Sequence, residues 1–215
     1  MLPRFPVYLF DVDGTLLDSA TDICGAVQSV LATTRRNDVT DEFLRLYIGR
    51  HLHDLFRDLM PELTLAQMDQ MLADYRRIYH DRGHTQTRPY AGVVEALTSL
   101  PGRKSTATTK GTPTTRFVLE KFGLISYFDH VQGTDGFPSK PEPDVIYASL
   151  KVFGAKPDEC LFVGDSPADM DAGRRAGVKT CAVLWGYGQR EEMVRFEPDY
   201  WVSSPAELLQ PGQFI

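Results

Sequence analysis

Residues 7–19 read VYLFDVDGTLLDS, a short apolar, β-prone run that ends at two carboxylates, Asp11 and Asp13. Gly14 and Thr15 follow and break the run. A short apolar run bounded by turn residues is typical of a buried strand. Because ligands of open α/β sheets bind at the carboxyl ends of the strands, we expect both Asp side chains at such a crevice.

Two carboxylates at this spacing predict a bound cation. Asp11 and Asp13 repel each other and are costly to bury without a partner. A hard divalent cation with oxygen ligands resolves that conflict, and magnesium typically uses one or two protein carboxylates together with a substrate phosphate. We therefore expect Mg²⁺ as the cofactor.

Three further blocks carry side chains suited to chemistry. Thr108 ends the segment KSTAT, Lys140 opens KPEPD, and residues 161–169 read LFVGDSPAD. Asp165 and Asp169 lie four residues apart at the start of a predicted helix, which places both on one helix face. Helix capping by Asp165 or Ser166, with Asp169 complementing the helix dipole, is the alternative interpretation.

The composition limits the class of protein. The chain has 215 residues, 42% hydrophobic and 24% charged, as expected of a soluble domain or a domain plus an insertion. A net charge of −6 argues against nucleic-acid binding but not against a small phosphorylated substrate. No apolar run approaches the roughly 20 residues of a membrane span. Three cysteines without a C-x-x-C pair, and a start that leads directly into the first strand, indicate a cytoplasmic location.

Strand and helix signals alternate along most of the chain. The predicted strands cover residues 7–10, 104–108, 128–131, 161–163, 179–184 and 200–202, and the predicted helices cover 92–100, 113–122, 144–153 and 168–176. This alternation is typical of parallel βαβ units. The predicted fold class is therefore α/β, a Rossmann-like parallel sheet flanked by helices.

The alternation fails over about residues 19–86, where apolar residues recur at helical spacing. This pattern predicts a smaller, all-helical domain over residues 17–86, inserted after the first strand. Residues 1–16 and 87–215 would then form the core domain. The sequence SATD, residues 19–22, approximates a capping box at the start of the helical block.

The pattern D-x-D-G-T-L-x-D-S, beginning at Asp11, resembles the first motif of the haloacid dehalogenase superfamily in its phosphatase branch. The blocks at Thr108, Lys140 and 161–169 follow in the family's order, and all four blocks lie within residues 7–169. The resemblance is to phosphatases similar to phosphoglycolate phosphatase. It implies a helical cap over the active site, with hinges near residues 16–19 and 87–89.

The resemblance also implies roles for the acidic residues and the lysine. Asp11 would be the nucleophile that forms an aspartyl-phosphate, and Asp13 the general acid and then base. The metal ligands would include Asp11, the backbone carbonyl of Asp13, and Asp165. Asp169 would act directly, through water, or by orienting its neighbours. Lys140 would neutralise the phosphoryl group and Asp11.

Further residues are predicted to contact the substrate. The backbone N–H groups of Gly14 and Thr15 could cradle phosphate oxygens, and Thr108 could donate its hydroxyl. Many relatives have Thr-Asn where this chain has Thr108-Thr109, so the role of Thr109 stays open, and the donor could be displaced by one residue. Lys110 could contact an anionic substrate, with a surface lysine as the alternative.

In the helical block, Arg50 is the best candidate for selecting a substrate, because an Arg fork suits a carboxylate or phosphate. Arg57, Arg76 and Arg77 are equally possible on composition, and Arg50 could instead be a solvated helix-end cation.

The sequence thus predicts magnesium-dependent hydrolysis of a small phosphate monoester, similar to phosphoglycolate, through an aspartyl-phosphate. The alternatives are a phosphomutase of the β-phosphoglucomutase type, a pyrophosphate hydrolase and, with least support, a non-catalytic binding protein on the same fold. The expected partner is a small phosphorylated metabolite, without nucleic acid or membrane. A monomer and a homodimer are both expected possibilities.

Overall fold

The computed structural model describes residues 2–36 and 38–209. Its elements, in chain order, are β1 (Val7–Phe10), β2 (Leu17–Asp18), α1 (Ala20–Leu31), α2 (Asp41–Arg45), α3 (Leu52–Leu59), α4 (Leu65–Asp81), β3 (Arg88–Pro89), α5 (Val93–Ser99), β4 (Arg103–Thr106), α6 (Thr112–Lys121), α7 (Asp144–Phe153), β5 (Cys160–Gly164), α8 (Pro167–Ala176), β6 (Lys179–Val183), α9 (Arg190–Met193) and β7 (Tyr200–Val202).

The central feature is a parallel sheet of five strands in the order β4-β1-β5-β6-β7. All four residues of β1 are buried. Tyr8 and Phe10 belong to one apolar cluster, whereas Val7 and Leu9 belong to another. Because successive strand residues point to opposite faces, the sheet has a core on each face, as helix-covered parallel sheets require. The predicted α/β fold class is confirmed.

One predicted strand is wrong. Residues 128–131 form only a single bridge, between Ser105 and His130, beside β4. The hydroxyl of Thr106 donates to the backbone oxygen of Gln132 and accepts from its backbone N–H, both at 2.9 Å. A side chain therefore satisfies backbone groups that a continuous ladder would have paired, and the sheet ends at β4.

Four helices, α1 to α4, follow one another between β2 and β3, with no strand among them in the part of this segment that the structure describes. Helix α4 packs against α1 and α3. Strands β2 and β3 pair antiparallel where the chain leaves the sheet and returns to it. We propose residues 17–86 as a cap domain, hereafter the cap, and residues 1–16 and 87–215 as the core. Residues 1, 37 and 210–215 of these ranges lie outside the described part.

Helix α4 of the cap begins at a local sequence signal. Thr64 starts α4 with a capping box, in which its hydroxyl accepts from the N–H of Gln67 and the Gln67 side chain accepts from the N–H of Thr64. Leu55, Phe56 and Leu59 of α3 are buried, as their helical spacing predicts. Within the described ranges, the helices are all too short or too polar to cross a membrane.

Candidate active site

The ends of two neighbouring strands bring the first acidic residues together. Strands β1 and β5 pair with Phe10 opposite Val163, and the N–H of Asp11 continues this pairing by donating to the Val163 oxygen at 2.9 Å. Asp165 follows the end of β5, so it comes to lie beside Asp11. Carboxylate oxygens of Asp11, Asp165 and Asp169 all lie within 4.8 Å of one another, and all three residues are buried.

Lys140 is the cation of this cluster. Its Nζ lies 2.9 Å from Asp11 Oδ1, forms an ion pair with Asp169, and donates to the backbone oxygen of Ala107 at 3.1 Å. The side chain is fully buried. Burial alone would lower the pKa of Lys140, but Asp11 and Asp169 raise it above its ordinary value. Lys140 therefore stays charged across the physiological pH range.

The three carboxylates carry more negative charge than Lys140 can offset. Burial raises the pKa of Asp11 to about 6, although Lys140 opposes the shift. Burial and the charges of Asp169 and Asp11 raise the pKa of Asp165 to about 8. Asp11 Oδ1 is buried, and its contact with Lys140 offsets only one of these negative charges. A crowded, all-oxygen donor set of this kind suits a hard divalent cation.

Asp165 is held by two hydrogen bonds and by glycines. Thr15 Oγ1 donates to its Oδ1 at 3.0 Å, and the N–H of Tyr187 donates to its Oδ2 at 2.8 Å. Gly14 has φ +88°, and a Cβ there would lie 2.2 Å from Asp165 Oδ2. A Cβ at Gly186 would lie 2.4 Å from Asp165 Cβ. Gly14 and Thr15 thus contact Asp165, and their predicted contact with phosphate stays a prediction.

Asp169 combines the two roles weighed for it. Its Oδ2 accepts from the N–H and the hydroxyl of Ser166, at 2.9 and 2.7 Å, in a capping box at the start of α8. Its Oδ1 faces Lys140. Because both oxygens are engaged, the arrangement favours orientation of Lys140 over direct metal ligation.

Asp13 lies next to the cluster but outside it. Ser19 Oγ donates to its Oδ1 at 2.6 Å, and Lys110 Nζ lies 3.1 Å from its Oδ2. The capping box predicted for residues 19–22 is wrong, because Ser19 makes no capping bond and its hydroxyl binds Asp13 instead. The side chain of Asp13 is not in the group of possible metal ligands, so only its backbone carbonyl remains as a predicted ligand.

Lys110 is not a surface residue, since its side chain is 8% exposed. Its Nζ donates to the hydroxyl of Tyr79 at 3.2 Å and lies 4.3 Å from the centroid of that ring. Burial alone would lower the pKa of Lys110, but Asp13, Tyr75 and Asp11 together raise it above its ordinary value. Tyr79 comes from α4, so this contact joins the cap to the core. The sequence gives no sign of it, because an aromatic residue at helical spacing is typical of a core position.

The two threonines after β4 lie at the same edge of the sheet, because β4 is the neighbour of β1. Thr108 is buried, and its hydroxyl accepts from the N–H of Lys110 at 3.3 Å. Its backbone oxygen accepts from the Thr134 hydroxyl at 2.9 Å. Thr109 lines the cavity between cap and core. Their contacts with substrate stay predictions.

Tyr187 is the main residue that the sequence does not reveal. Its hydroxyl accepts from the N–H groups of Ser19, at 2.6 Å, and Ala20, at 2.9 Å, and donates to Asp18 at 3.1 Å. It therefore connects the start of α1 to the loop that also holds Asp165. This loop follows β6 and carries no motif of its own; only its closely spaced glycines hint at a crowded backbone.

Beyond the catalytic cluster, a cavity of about 510 Å³ opens between the cap and the core. Arg50 lines it and lies over the ring of Tyr47, with 5.4 Å from the guanidinium carbon to the ring centroid. This position is compatible with the predicted contact to substrate, which stays a prediction. Arg57 does not line the cavity and pairs with Asp54 of its own helix at 2.6 Å.

A parallel α/β sheet whose first strand ends at a buried carboxylate, beside a buried lysine and further carboxylates, is an arrangement typical of a hydrolase of the α/β class. Residues 8–183 match the family model described as haloacid dehalogenase-like hydrolase. The chain belongs to that family.

Relatives of known name cover nearly the whole chain. A phosphoglycolate phosphatase of Aquifex aeolicus is 31% identical over 208 residues, which are 95% of each chain. The pyrophosphatase PpaX of Bacillus cereus (strain B4264) is 31% identical over 210 residues, 96% of this chain and 95% of the relative. The family resemblance, and an enzyme of the phosphatase type, are thereby confirmed.

Solved structures agree with the fold. A haloacid dehalogenase-like family hydrolase from Streptococcus pneumoniae superposes with a TM-score of 0.84 at 25% identity, covering 95% of this chain and 97% of the other. A hydrolase from Pseudomonas syringae gives a TM-score of 0.82 at 27% identity, covering 95% and 96%.

Proposed function

We propose that this protein hydrolyses small phosphate monoesters with Mg²⁺, through an aspartyl-phosphate on Asp11. The observation that carries the proposal is the position of Asp11, which is buried at the end of β1 with its Oδ1 2.9 Å from Lys140 Nζ and with a carboxylate oxygen within 4.8 Å of oxygens of Asp165 and Asp169. A carboxylate held beside a fixed cation and two further carboxylates is suited to attack phosphorus rather than to stabilise the fold.

The residues present fit a divalent cation. Asp11, Asp165 and the backbone carbonyl of Asp13 would hold it, and Asp169 would orient Lys140. When bound, the ion offsets the negative charge that gathers when a phosphate meets these carboxylates. The raised pKa of Asp165, about 8, fits this role, because burial and the charges of Asp169 and Asp11 raise it even though Thr15 and Tyr187 donate hydrogen bonds to this carboxylate, and a bound cation would relieve the repulsion.

The first half-reaction would proceed from the residues in place. An oxygen of Asp11 attacks phosphorus, and the bond from phosphorus to the ester oxygen breaks. Asp13 donates a proton to the departing oxygen, which leaves as an alcohol. Lys140 stabilises the charge on the phosphoryl group, and Thr108 and the backbone N–H of Thr15 bind its oxygens, since the N–H of Gly14 already donates to the Leu17 oxygen at 2.9 Å.

The second half-reaction restores the enzyme. Asp13, now a carboxylate, takes a proton from a water molecule that attacks phosphorus. The bond from phosphorus to the Asp11 oxygen breaks, and phosphate leaves. Ser19 and Lys110 hold Asp13 through both of its oxygens, so the same carboxyl group is in position for both steps.

The test is phosphate release from a panel containing phosphoglycolate, pyrophosphate and sugar phosphates, with and without Mg²⁺. We expect Mg²⁺-dependent phosphate release that Asp11→Asn abolishes. After a rapid acid quench, we expect one phosphoryl group bound per wild-type chain. Near-normal release by Asp11→Asn would overturn the covalent mechanism. Interconversion of sugar phosphates without phosphate release would replace the hydrolase by a phosphomutase.

Phosphoglycolate and pyrophosphate enter the panel because relatives carry those names. The cytoplasmic location and the choice between monomer and homodimer stay predictions.

A further inference from the structure

The cavity between cap and core extends into the cap helices. Asp13 and Lys110 line it, and the side chains that the cap contributes to its walls are mainly apolar. Those walls include Ile23, Val27, Leu44, Leu55, Leu72 and Tyr75. The cap helices therefore leave an apolar surface on their side of a cavity of about 510 Å³ instead of packing fully against one another.

The lining of the cavity includes the proposed proton donor but not the proposed nucleophile. Asp13 lines it, whereas Asp11, Asp165 and Asp169 are absent from the lining that the structure describes. Because Asp13 is the proposed proton donor to the departing oxygen, the molecule that enters this space is the leaving group and not the phosphoryl group.

The size and polarity of this space do not match a two-carbon leaving group. Pockets of about 300–1,000 Å³ bind ligands of drug size. Apolar walls satisfy water poorly, and hydrocarbon that displaces water from them gains the free energy of burial.

Two arginines add a second feature to the cavity. Arg50 and Arg76 both line it, both are exposed, and in the described parts of the chain neither forms an ion pair. Since they are exposed, they lie where the cavity meets solvent. A guanidinium fork binds a carboxylate in a bidentate manner.

We propose that the preferred substrates are phosphate monoesters whose leaving group has a hydrocarbon body longer than that of glycolate and ends in a carboxylate. The hydrocarbon lies among the apolar cap residues, and the carboxylate binds Arg50 and Arg76. The inference rests on the proposed hydrolase function and deepens it by naming the substrate class.

The test uses ω-phosphooxy-alkanoates from two to about eight carbons, of which phosphoglycolate is the shortest. We expect kcat/KM to rise with length by up to about fourfold per buried methylene, which corresponds to about 0.8 kcal/mol. If the protein releases phosphate from phosphoglycolate but kcat/KM falls or stays flat as the substrate chain lengthens, the inference is overturned and the hydrolase function stands. No phosphate release from any of these alkanoates, from pyrophosphate or from sugar phosphates would overturn both the substrate inference and the proposed hydrolase function.

A variant that fills the cavity gives an independent test. Leu72→Trp should lower the ratio of kcat/KM for the eight-carbon over the two-carbon substrate by about tenfold or more. Met68→Trp is the matched control, because Met68 lies one turn earlier on α4, is buried, and does not line the cavity. Thermal melts of both variants establish that they are folded. An unchanged ratio in folded Leu72→Trp would contradict the assignment of the cavity.

The carboxylate site is tested with n-alkyl phosphates of matched length. We expect the wild type to prefer the ω-carboxylate over the plain alkyl phosphate, and Arg76→Gln to reduce this preference about tenfold. Arg77→Gln is the control, since Arg77 pairs with Asp74 at 3.5 Å and lies outside the cavity lining. An equal loss in both variants, or no preference in the wild type, would remove the carboxylate from the proposal.

Discussion

Gly14 lies where the backbone comes closest to the proposed metal ligand Asp165. Its φ of +88° disfavours any side chain, and a Cβ would lie 2.2 Å from Asp165 Oδ2. The Asp165 carboxylate or the backbone at position 14 would have to shift to make room. Position 14 therefore limits the geometry of the metal site more strictly than its place in an Asp-Gly turn suggests.

We predict that Gly14→Ala raises the Mg²⁺ concentration for half-maximal activity by at least about tenfold, or about 1.4 kcal/mol. Gly123→Ala is the matched control, because Gly123 also has positive φ, +68°, and a Cβ added there would meet no atom within 4 Å. Both variants should lose about 1 kcal/mol of stability through backbone strain. A magnesium titration of Gly14→Ala equal to that of Gly123→Ala would argue against the close approach to Asp165.

At the level of elements, the start of α1 is held from outside the helix. Ser19 is the N-cap but makes no capping bond, and the phenolic oxygen of Tyr187 accepts from two N–H groups at the helix start. The loop after β6 thus takes the place of a local cap. Because the same loop donates a backbone hydrogen bond to Asp165, it connects α1 directly to the catalytic cluster.

We predict that Tyr187→Phe destabilises the protein by about 1–2 kcal/mol, because it leaves the N–H groups of Ser19 and Ala20 without their acceptor. It should also lower kcat, since Ser19 is bound to the proposed acid, Asp13. Tyr147→Phe is the control, because the Tyr147 hydroxyl makes one bond, 3.2 Å, to a backbone oxygen at an exposed site. Urea unfolding and initial rates measure both effects. Equal stabilities for the two variants would show that Tyr187 does not hold the helix.

Elements with strong local signals could be predicted from the sequence. Helix α7 begins at Asp144 and ends at Phe153, as its apolar spacing predicts, and β1 ends at Phe10. The sequence could not show that the strand predicted over 128–131 is absent. Its absence depends on the Thr106 side chain, which satisfies backbone groups of Gln132 in the neighbouring segment. Such competition is decided by tertiary contacts and not by local propensity.

The sequence could likewise predict some residues of the candidate site but not others. Asp11, Lys140 and Asp165 belong to contiguous motifs, and the structure brings them together at the carboxyl edge of the sheet. Tyr79 and Tyr187 belong to no motif, and their contacts join segments far apart in the chain. Sequence alone could not identify them, because their importance comes only from where the fold places them.

For the whole molecule, the buried acidic cluster that forms the proposed metal site lowers the free energy of unfolding when no metal is bound. In the unfolded chain, Asp165 titrates near its ordinary pKa of about 3.9, whereas in the folded protein its pKa is raised to about 8 by burial and by Asp169 and Asp11. Between these values the folded state keeps a proton that the unfolded state has lost. Rising pH therefore favours unfolding over this window, until both states are ionised near pH 8.

We predict that, with EDTA present, the free energy of unfolding of the wild type falls relative to that of Asp165→Asn as the pH rises from about 4 to about 8. Asp171→Asn is the control, because the pKa of Asp171 is shifted in the opposite direction to that of Asp165. Burial alone would raise the pKa of Asp171, but hydrogen bonds from Arg175 and Arg174 lower it, so its stabilisation is complete above about pH 4 and its difference from wild type stays flat to pH 8.

Mg²⁺ should reverse the wild-type loss, because an ion that binds only the folded, ionised cluster stabilises it by mass action. It should not stabilise Asp165→Asn to the same extent, since that variant lacks one proposed ligand. Denaturant titrations at several pH values, with EDTA and with saturating Mg²⁺, measure all three proteins. A wild-type curve parallel to that of Asp165→Asn in EDTA would show that this carboxyl is not held protonated by its surroundings. Equal stabilisation of both by Mg²⁺ would place the ion away from Asp165.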